Sequence, residues 1–396
     1  MVNKILPILL LSAACAFAAP TLKEQHGGVK ATLKRPAKPA AIHEVYARDM
    51  SRWSNLASSS TGSSPLVNTD VSYTLSIGLG TPAQNVDLVF DTGSSDLWVM
   101  SANYNPSSSS SANDLGETWS VNYGTPDDPT SAGGEEYTDV ATIGSYSFTQ
   151  ELGVATTSQG MNGLQGIVGF GPDDLSPSTN TGENIPTPVD NLYSSGQIGS
   201  DVIGVYFQPI TDGGSNEANG EVTFGGVDSS KYTGSITYVP ITSQSPSNEY
   251  WGVDCSSISY GSTQLLGATA GIVDTGTTLV LLSSDAVQSL YNSIPGATLD
   301  NTTGLYTIPS DQVSSLQDIS FTIGGTTFNL TPDQYIVPAN LVASQGGSAG
   351  TTYTWIGDIG SSTTGQAFIL GQKFLENYYS VFDTTNSRVG LATAAN

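Results

Sequence analysis

Apolar and polar residues alternate in short runs along much of the chain. The clearest runs, each bounded by turn-forming residues, are Ser72 to Gly78, Asn85 to Phe90, Glu136 to Ile143, Gly220 to Phe224, Ser235 to Val239, Ile319 to Ile323, Thr326 to Leu330 and Tyr379 to Phe382. Alternation with a period of two is typical of strands that bury one face. A helical period is rare, with Ser284–Tyr291 as the better candidate and Thr187–Ser194 as a weaker one. The pattern predicts an all-β fold with little helix.

Two of the apolar runs end in almost the same motif, one in each half of the chain. The first is Val89-Phe90-Asp91-Thr92-Gly93-Ser94-Ser95, and the second is Ile272-Val273-Asp274-Thr275-Gly276-Thr277-Thr278. Each is followed later by an apolar pair that ends in glycine, Gly166-Ile167-Val168-Gly169 and Phe368-Ile369-Leu370-Gly371, which we expect to pack beneath its own Asp loop. This repeat predicts a bilobal fold, with two β lobes related by a pseudo-twofold axis and a central cleft.

The repeated motif places one aspartate, Asp91 or Asp274, in each predicted lobe. If the lobes pack face to face, the two carboxylates meet, and carboxylates about 3 Å apart cannot both ionise near neutral pH. Such a pair shares one proton and titrates as a unit. It can therefore act as acid and base in one reaction step, without a metal ion or a covalent intermediate.

Charge is divided unevenly along the chain, whose formal net charge is −24. Most of the 11 lysines and arginines lie at or before Arg52, and only Lys231, Lys373 and Arg388 lie beyond it. The acidic remainder would repel nucleic acid and anionic membranes, so we expect neither as a partner. Its self-repulsion would relax as carboxylates protonate, which favours an acidic working environment. The alternative is that a surface poor in basic residues simply suits an exported protein.

The first 60 residues have the composition of export and pro-segments. Lys4 precedes the apolar run Ile5 to Ala14, and Ala16-Phe17-Ala18 has the spacing of a signal-peptide cleavage site. We therefore expect a signal peptide at residues 1–18 and a secreted, extracellular protein. A basic propeptide at 19–60 would cover the acidic cleft and loosen in acid, with a cut in the serine-rich stretch 57–64. The alternative for this segment is a disordered spacer. An N-terminal β lobe at 61–245 and a C-terminal β lobe at 246–396 would follow.

Histidine and cysteine are nearly absent after the predicted propeptide. Both histidines, His26 and His43, lie within that propeptide, and Cys255 is the one cysteine after it. The chain after residue 60 therefore lacks the usual ligands of a tetrahedral zinc site and the base of a Ser-His or Cys-His pair. We expect no metal and no other cofactor. Cys255 lies in an alternating run with Trp251 and Val253 on the same face, which predicts a buried, inert thiol.

From about residue 70 to its end, the chain resembles the pepsin-like aspartic proteases. The segments that carry the resemblance are Asp91 to Trp98, Trp119 to Gly124, Ser229 to Tyr238, Asp274 to Thr278 and Tyr378 to Asp383. The resemblance implies a monomeric acid endopeptidase made as a zymogen. Its substrates would be peptides or proteins and its inhibitors pepstatin-like. Two rival interpretations remain: a catalytically dead relative that only binds peptides, and a cell-wall or structural β protein.

The resemblance also implies roles for the residues of the two motifs. Asp91 and Asp274 would be catalytic and hold one water between them. The residues that would support this dyad are Thr92, Gly93, Ser94, Thr275, Gly276 and Thr277. Among them, the two hydroxyls three residues after each aspartate would bond its outer oxygen, and the two threonines next to the aspartates would bond the opposite loop. The alternative for those two hydroxyls is ordinary hydrogen bonding within a turn.

A flap and a set of substrate-binding residues follow from the same resemblance. Tyr123 matches a flap tyrosine, and Trp98 matches the tryptophan whose indole bonds it; both could instead be simple core aromatics. The remaining candidates for the flap and substrate site are Gly124, Thr125, Ile167, Tyr250 and Thr278, with Val89 as a further pocket residue. The flap tip departs from the family because it is longer and contains Pro126 and Pro129. Since position 125 is not an aspartate, we expect a preference for bulky apolar or aromatic residues around the cleaved bond.

Two triplets match the acceptor pattern for N-glycosylation. Asn301-Thr302-Thr303 and Asn329-Leu330-Thr331 both have threonine two positions after the asparagine and no proline between them. Such triplets also arise by chance. Asn301 and Asn329 are therefore candidate sites, whose occupancy the sequence leaves open.

Overall fold

The computed structural model describes residues 30–34, 46, 49, 73–123, 130–161, 163–176, 182–209, 219–343, 346–361 and 365–396. Strands dominate these residues, which confirms the predicted all-β fold. The strands are β1 (Lys30–Lys34), β2 (Thr74–Leu79), β3 (Gln84–Asp91), β4 (Leu97–Met100), β5 (Asn113–Asn122), β6 (Ser131–Ile143), β7 (Tyr146–Gln159), β8 (Gly166–Gly169), β9 (Val202–Tyr206), β10 (Gly220–Phe224), β11 (Tyr232–Pro240), β12 (Gly252–Tyr260), β13 (Thr263–Leu266), β14 (Thr269–Val273), β15 (Val280–Leu282), β16 (Thr298–Leu299), β17 (Tyr306–Ile308), β18 (Ile319–Ile323), β19 (Thr326–Leu330), β20 (Thr352–Tyr353), β21 (Ile356–Asp358), β22 (Phe368–Leu370), β23 (Tyr378–Asp383) and β24 (Arg388–Ala394).

Helices are short and few among the described residues. They are α1 (Pro188–Ser194), α2 (Ser284–Asn292), α3 (Pro332–Tyr335), α4 (Ala339–Val342) and α5 (Gln372–Leu375). Both predicted helical segments are confirmed, as α1 and α2. Helix α1 begins with a proline at its first turn, and the Asp190 carboxylate accepts a 2.7 Å hydrogen bond from the Thr187 backbone N–H. No helix in the described part of the chain is long and apolar enough to cross a membrane.

The strands form three sheets. The largest has 13 strands in the order β11-β24-β23-β9-β10-β1-β2-β3-β8-β4-β7-β6-β5. The second follows the order β19-β18-β12-β14-β22-β15-β21, with β13 paired to β12, and the third is β16-β17-β20. The last two strands of the chain, β23 and β24, pair with β9 and β11 in the first sheet, so that the C-terminal residues join the two halves.

Each half contains the same arrangement of three strands around its aspartate. Strand β8 lies between β3, to which it is parallel, and β4, to which it is antiparallel. Strand β22 lies in the same way between β14 and β15. Asp91 is the last residue of β3, and Asp274 directly follows β14. The two glycine-ended repeats therefore lie beside the strands that carry the aspartates, as predicted.

Glycine is required at the end of each repeat because the Asp loop approaches its backbone closely. A Cβ atom at Gly169 would lie 2.5 Å from the Ser94 carbonyl oxygen. At Gly371 it would lie 2.2 Å from the Leu279 carbonyl oxygen. Any larger residue at either position would displace the loop that holds the aspartate.

The predicted propeptide contributes a strand to the first sheet. Strand β1 lies between β2 and β10, with the side chains of Ala31 and Leu33 buried in the core. Lys30 forms ion pairs with Asp228 and, at 3.3 Å, with Glu221. The predicted signal peptide and the predicted cut at 57–64 lie outside the described residues.

Cys255 is buried on β12, as its alternating context predicts. Its thiol donates a hydrogen bond to the Ser257 carbonyl oxygen, and burial raises its pKa above the ordinary value for cysteine. A buried thiol that resists ionisation is a weak nucleophile, so its role is in packing.

Candidate active site

The two Asp loops contact each other directly. The backbone N–H of Thr92 donates to the hydroxyl of Thr275 at 2.9 Å, and the backbone N–H of Thr275 donates to the hydroxyl of Thr92 at 3.0 Å. The Thr275 hydroxyl donates in turn to the Phe90 carbonyl oxygen at 3.1 Å. Both threonines are buried. This reciprocal pairing fixes the loops of the two halves against each other at the residues next to Asp91 and Asp274.

Each aspartate is held by the same set of donors. The backbone N–H of Gly93 donates to Oδ1 of Asp91 at 2.9 Å, and the hydroxyl of Ser94 donates to its Oδ2. In the other half, Gly276 donates to Oδ1 of Asp274 at 2.9 Å, and the hydroxyl of Thr277 donates to its Oδ2. The corresponding donors therefore meet the corresponding oxygens in both halves.

These hydrogen bonds favour one negative charge on the buried pair formed by Asp91 and Asp274. Asp91 and Asp274 both have 0% of their surface exposed. Hydrogen bonds donated to a carboxylate stabilise its ionised form, whereas burial and a second carboxylate nearby oppose it. The bonds that Gly93 and Ser94 donate to Asp91 match those that Gly276 and Thr277 donate to Asp274, so these bonds favour the ionised form equally on both sides. The arrangement suits a pair that carries one proton between two equivalent carboxyls.

Gln372 is a residue of this site that the sequence motifs did not reveal. Its side-chain amide donates to the Thr275 carbonyl oxygen at 2.8 Å, and its backbone N–H donates to the Thr277 carbonyl oxygen at 2.7 Å. The residue is fully buried at the start of α5. It therefore holds the second Asp loop from beneath. The available signal was its position directly after Gly371, at the end of the internal repeat.

The flap candidates form one buried cluster beside the first Asp loop. The indole N–H of Trp98 donates to the hydroxyl of Tyr123 at 3.0 Å. Tyr123 directly follows β5, which pairs with β6 as a long hairpin. Val89 and Ile167 pack in the same cluster as both aromatic residues. Gly124 and Thr125, together with the rest of the flap tip to residue 129, lie outside the described residues.

The two candidates in the second half lie elsewhere. Tyr250 packs against a separate apolar cluster that contains Leu279, whereas Ile167 belongs to the cluster of the flap aromatics. Thr278 is buried directly after the second Asp loop, and its backbone N–H donates to the Asp49 carboxylate at 2.9 Å. The structure thus groups Val89, Ile167 and the flap aromatics on one side, and Tyr250 and Thr278 on the other.

Both candidate glycosylation sites are on the surface. Asn301 lies exposed in the turn between β16 and β17. Asn329 lies exposed on β19, which is an edge strand of the second sheet. Both asparagines are accessible to a glycan in the folded chain, and their modification stays a prediction.

The fold and the paired Asp loops define the class of aspartic proteases. The family model "Eukaryotic aspartyl protease" matches residues 72–394, and the chain belongs to this family. Polyporopepsin from Irpex lacteus is 48% identical over 341 residues, which cover 84% of this chain and 97% of the relative. Rhizopuspepsin-2 from Rhizopus niveus is 34% identical, with 92% of each chain covered, and pepsin A from Sus scrofa is 34% identical, with 84% of each covered.

A solved structure agrees with these relatives. The crystal structure of the aspartic proteinase from Irpex lacteus matches with a TM-score of 0.79 and 41% sequence identity, covering 93% of this chain and 98% of that chain. The chain is therefore an aspartic-type endopeptidase with the bilobal pepsin-like fold. This result decides against the alternative of a structural β protein.

Proposed function

We propose that Asp91 and Asp274 together hydrolyse peptide bonds by activating one water molecule. The observation that carries this proposal is the matched set of donors on two buried carboxyls, in loops that bond each other through Thr92 and Thr275. Such loops hold the reacting groups in one geometry before substrate binds.

In the proposed reaction, the ionised carboxyl takes a proton from the water as its oxygen attacks the carbonyl carbon of the substrate. The protonated carboxyl gives its proton to the carbonyl oxygen, so that a neutral tetrahedral diol forms. The C–N bond then breaks as the leaving nitrogen takes a proton and a diol hydroxyl returns one to the dyad. The products are a carboxylic acid and an amine, and the dyad again holds one proton.

The substrate is proposed to be an extended peptide that lies across the cleft and binds largely through its backbone. Val89 and Ile167, which pack with Trp98 and Tyr123, supply apolar surface beside Asp91. Bulky apolar or aromatic side chains next to the cleaved bond would bury this surface. We therefore infer broad specificity with a preference for such residues.

We further propose that the enzyme is secreted and is made as a zymogen, with residues 19–60 as its propeptide. Strand β1 of that segment is built into the first sheet, and Lys30 binds Asp228 there. Burial works to raise the pKa of Asp228, but the hydrogen bonds from Lys30 and Ser230 together outweigh it and lower the pKa well below the usual range. This pair therefore persists in moderate acid, and release of β1 requires cleavage of the chain as well as low pH.

The proposed activity can be tested on the purified chain with haemoglobin or casein as substrate. We expect digestion at about pH 3 to 4, where one carboxyl of the dyad is ionised and the other is protonated. A statine-type peptide should block it. Mass spectrometry of the products should show cleavage between bulky apolar residues. A chain that binds the inhibitor but leaves both proteins intact would instead be a catalytically dead binder.

Replacement of Tyr123 by phenylalanine tests the proposed flap. The change removes the acceptor of the Trp98 indole N–H, which lies in a buried cluster. An unpaired buried donor costs about 1–3 kcal/mol. We expect kcat/KM to fall about tenfold, since about 1.4 kcal/mol of lost positioning corresponds to that factor. Tyr193→Phe is the matched control, because Tyr193 is 45% exposed. An unchanged kcat/KM in Tyr123→Phe would mean that Tyr123 is only a core aromatic and that its hydroxyl does not contribute to catalysis.

A further inference from the structure

Asp49, in the predicted propeptide, is bound to the backbone of the second Asp loop. Its Oδ2 atom accepts a 2.9 Å hydrogen bond from the N–H of Thr278 and a 2.8 Å bond from the N–H of Leu279. Asp49 has 0% of its surface exposed. One carboxylate oxygen thus binds two successive amides that lie far away along the chain. Hydrogen bonds to an ionised acceptor are roughly twice as strong as neutral ones.

These two amides directly follow the residue that holds Asp274. The Thr277 hydroxyl donates to Asp274, and Thr278 comes next in the chain. Backbone N–H groups beside a catalytic carboxyl are the donors that an extended peptide would use if it bound through its main chain. Because a buried amide without an acceptor is costly, the departure of Asp49 leaves donors that water or a substrate must satisfy. A substrate that bound these two amides through its main chain would therefore compete with Asp49 for them.

Tyr46 provides a second contact on the same side of the cleft. Its hydroxyl donates to the Asp358 carbonyl oxygen at 3.3 Å, and its ring packs against the apolar cluster that contains Leu279. Gly304 makes room for the ring, since a Cβ atom there would lie 2.3 Å from it. Tyr46 packs against the cluster that contains Leu279, and Asp49 accepts from the Leu279 N–H, so both residues contact the same part of the second half.

The charge of Asp49 is unusual for its segment. Between residues 19 and 60 the chain has seven basic residues and only three acidic ones, Glu24, Glu44 and Asp49. The rest of the chain is strongly acidic, so its net charge does not attract a carboxylate of this segment. The hydrogen bonds from the amides of Thr278 and Leu279 are the favourable interactions that hold Asp49 there.

We propose that Asp49 is an intramolecular ligand of the substrate cleft. With Tyr46 as its apolar anchor, it holds the propeptide on the C-terminal lobe and keeps the amides of Thr278 and Leu279 from substrate until the segment is removed. The proposal rests on the proposed function, because it concerns the inhibition of that same site. Asp49 acts by occupying donors and takes no part in the reaction.

The test compares full chains that carry Asp49→Ala, Asp49→Asn or no change. The unprocessed chain of each is given a fluorogenic peptide, and the initial rate is read before conversion. Conversion is followed at one fixed acidic pH on gels and by N-terminal sequencing. We expect Asp49→Ala to raise the initial rate and the conversion rate about tenfold or more, the factor for losing one or two charge-assisted hydrogen bonds. Asp49→Asn keeps an acceptor oxygen without the charge, so its increase should be smaller.

A matched control lies in the same segment. Lys34 forms an exposed ion pair with Asp87 at 3.4 Å, and such pairs contribute little, so Lys34→Ala should change both rates less than twofold. The processed enzymes should all have the same kcat/KM, because residue 49 has been removed. If Asp49→Ala yields no folded chain, Asp49→Asn carries the comparison.

Two outcomes separate this inference from the function on which it rests. If the wild-type chain converts and cleaves peptides but neither Asp49 variant is faster, the role of Asp49 is wrong and the protease stands. If the wild-type chain is inactive both before and after removal of the segment, the proposed function itself fails.

Discussion

Replacement of Asp91 or Asp274 by asparagine is expected to abolish peptide hydrolysis while the fold is kept. Asparagine has the shape of aspartate, and its side-chain oxygen can still accept the bond from Gly93 or Gly276. It can neither take a proton from water nor give one to a carbonyl oxygen. General acid–base catalysis contributes about 10² to 10⁴-fold, so kcat/KM should fall by about 10³-fold or more in each variant. The measurement is hydrolysis of a fluorogenic peptide at about pH 3 to 4.

A surface variant provides the comparison for this loss. Asp311 is exposed and accepts a 3.4 Å hydrogen bond from the side chain of the neighbouring Gln312. Asp311→Asn should therefore retain full activity. Thermal unfolding of all three variants should give midpoints close to that of the wild type. Substantial cleavage by either dyad variant would refute the two-carboxyl mechanism, because one remaining aspartate cannot be acid and base in the same step.

The sequence predicts the two Asp loops well because both contain the same short local motif. Asp91 and Asp274 each follow a buried strand and precede a glycine, and the repeats that end in Gly169 and Gly371 report which strand lies next to each loop. These motifs can be recognised without knowing which strands, distant in sequence, pair with each other. The alternating runs locate strands for the same reason, since the period of two is a property of the strand itself.

Contacts that depend on register or on long-range docking could not be predicted. The binding of Asp49 to the amides of Thr278 and Leu279 joins residues that are 229 and 230 positions apart in the chain, and an aspartate that binds amides has no special neighbours in sequence. Strand β1 was missed because its basic composition indicated a segment that covers the acidic cleft by charge. That composition did not indicate a strand paired within the sheet. Gln372 was missed because only its position directly after Gly371 marks it in the sequence, and that position does not show that its side chain is buried.

A pair of glutamates on the neighbouring strands β6 and β7 shows the same limit. Glu136 lies on β6 and Glu151 on β7, where Glu151 is opposite Thr138, so the two carboxyls are diagonal neighbours on one face. Only 2% of the Glu136 surface is exposed. Burial and the adjacent Glu151 raise the pKa of Glu136 to about 7. The pair therefore keeps a proton that an exposed glutamate would have lost, and only the strand register reveals it.

A second buried carboxyl behaves in the same way. Asp201 precedes β9, and burial together with its hydrogen bond to Asp190 raises its pKa to about 8. Asp190 is the residue that caps α1 through the Thr187 N–H. Ionisation of Asp201 would place a second charge beside that cap. Both sites therefore stabilise the fold only while they are protonated.

These two sites predict that the folded chain loses stability as the pH rises towards neutral. The folded state holds protons on Glu136 and Asp201 up to about pH 7 and 8, whereas the unfolded chain releases them near the ordinary values of 4.5 and 3.8. Stability is thus fully present below about pH 4 and falls through the window up to about pH 8. Between its unfolded and folded pKa values, each carboxyl lowers the free energy of unfolding by up to about 1.4 kcal/mol for every pH unit. The apparent unfolding midpoint should fall by several degrees or more between pH 4.5 and 8.

Neutral replacements should flatten this dependence. In the Asp91→Asn background, which removes self-digestion, Glu136→Gln and Asp201→Asn should each recover about 1–3 kcal/mol at pH 7.5, the cost of a buried charge that is poorly paired. Asp300→Asn is the control of opposite sign, because a 2.7 Å hydrogen bond from the Tyr353 hydroxyl lowers the pKa of Asp300. That variant should gain nothing at pH 7.5. Equal unfolding midpoints at pH 4.5 and 7.5 in the Asp91→Asn chain would show that neither buried carboxyl keeps its proton at neutral pH, and would contradict the predicted loss of stability.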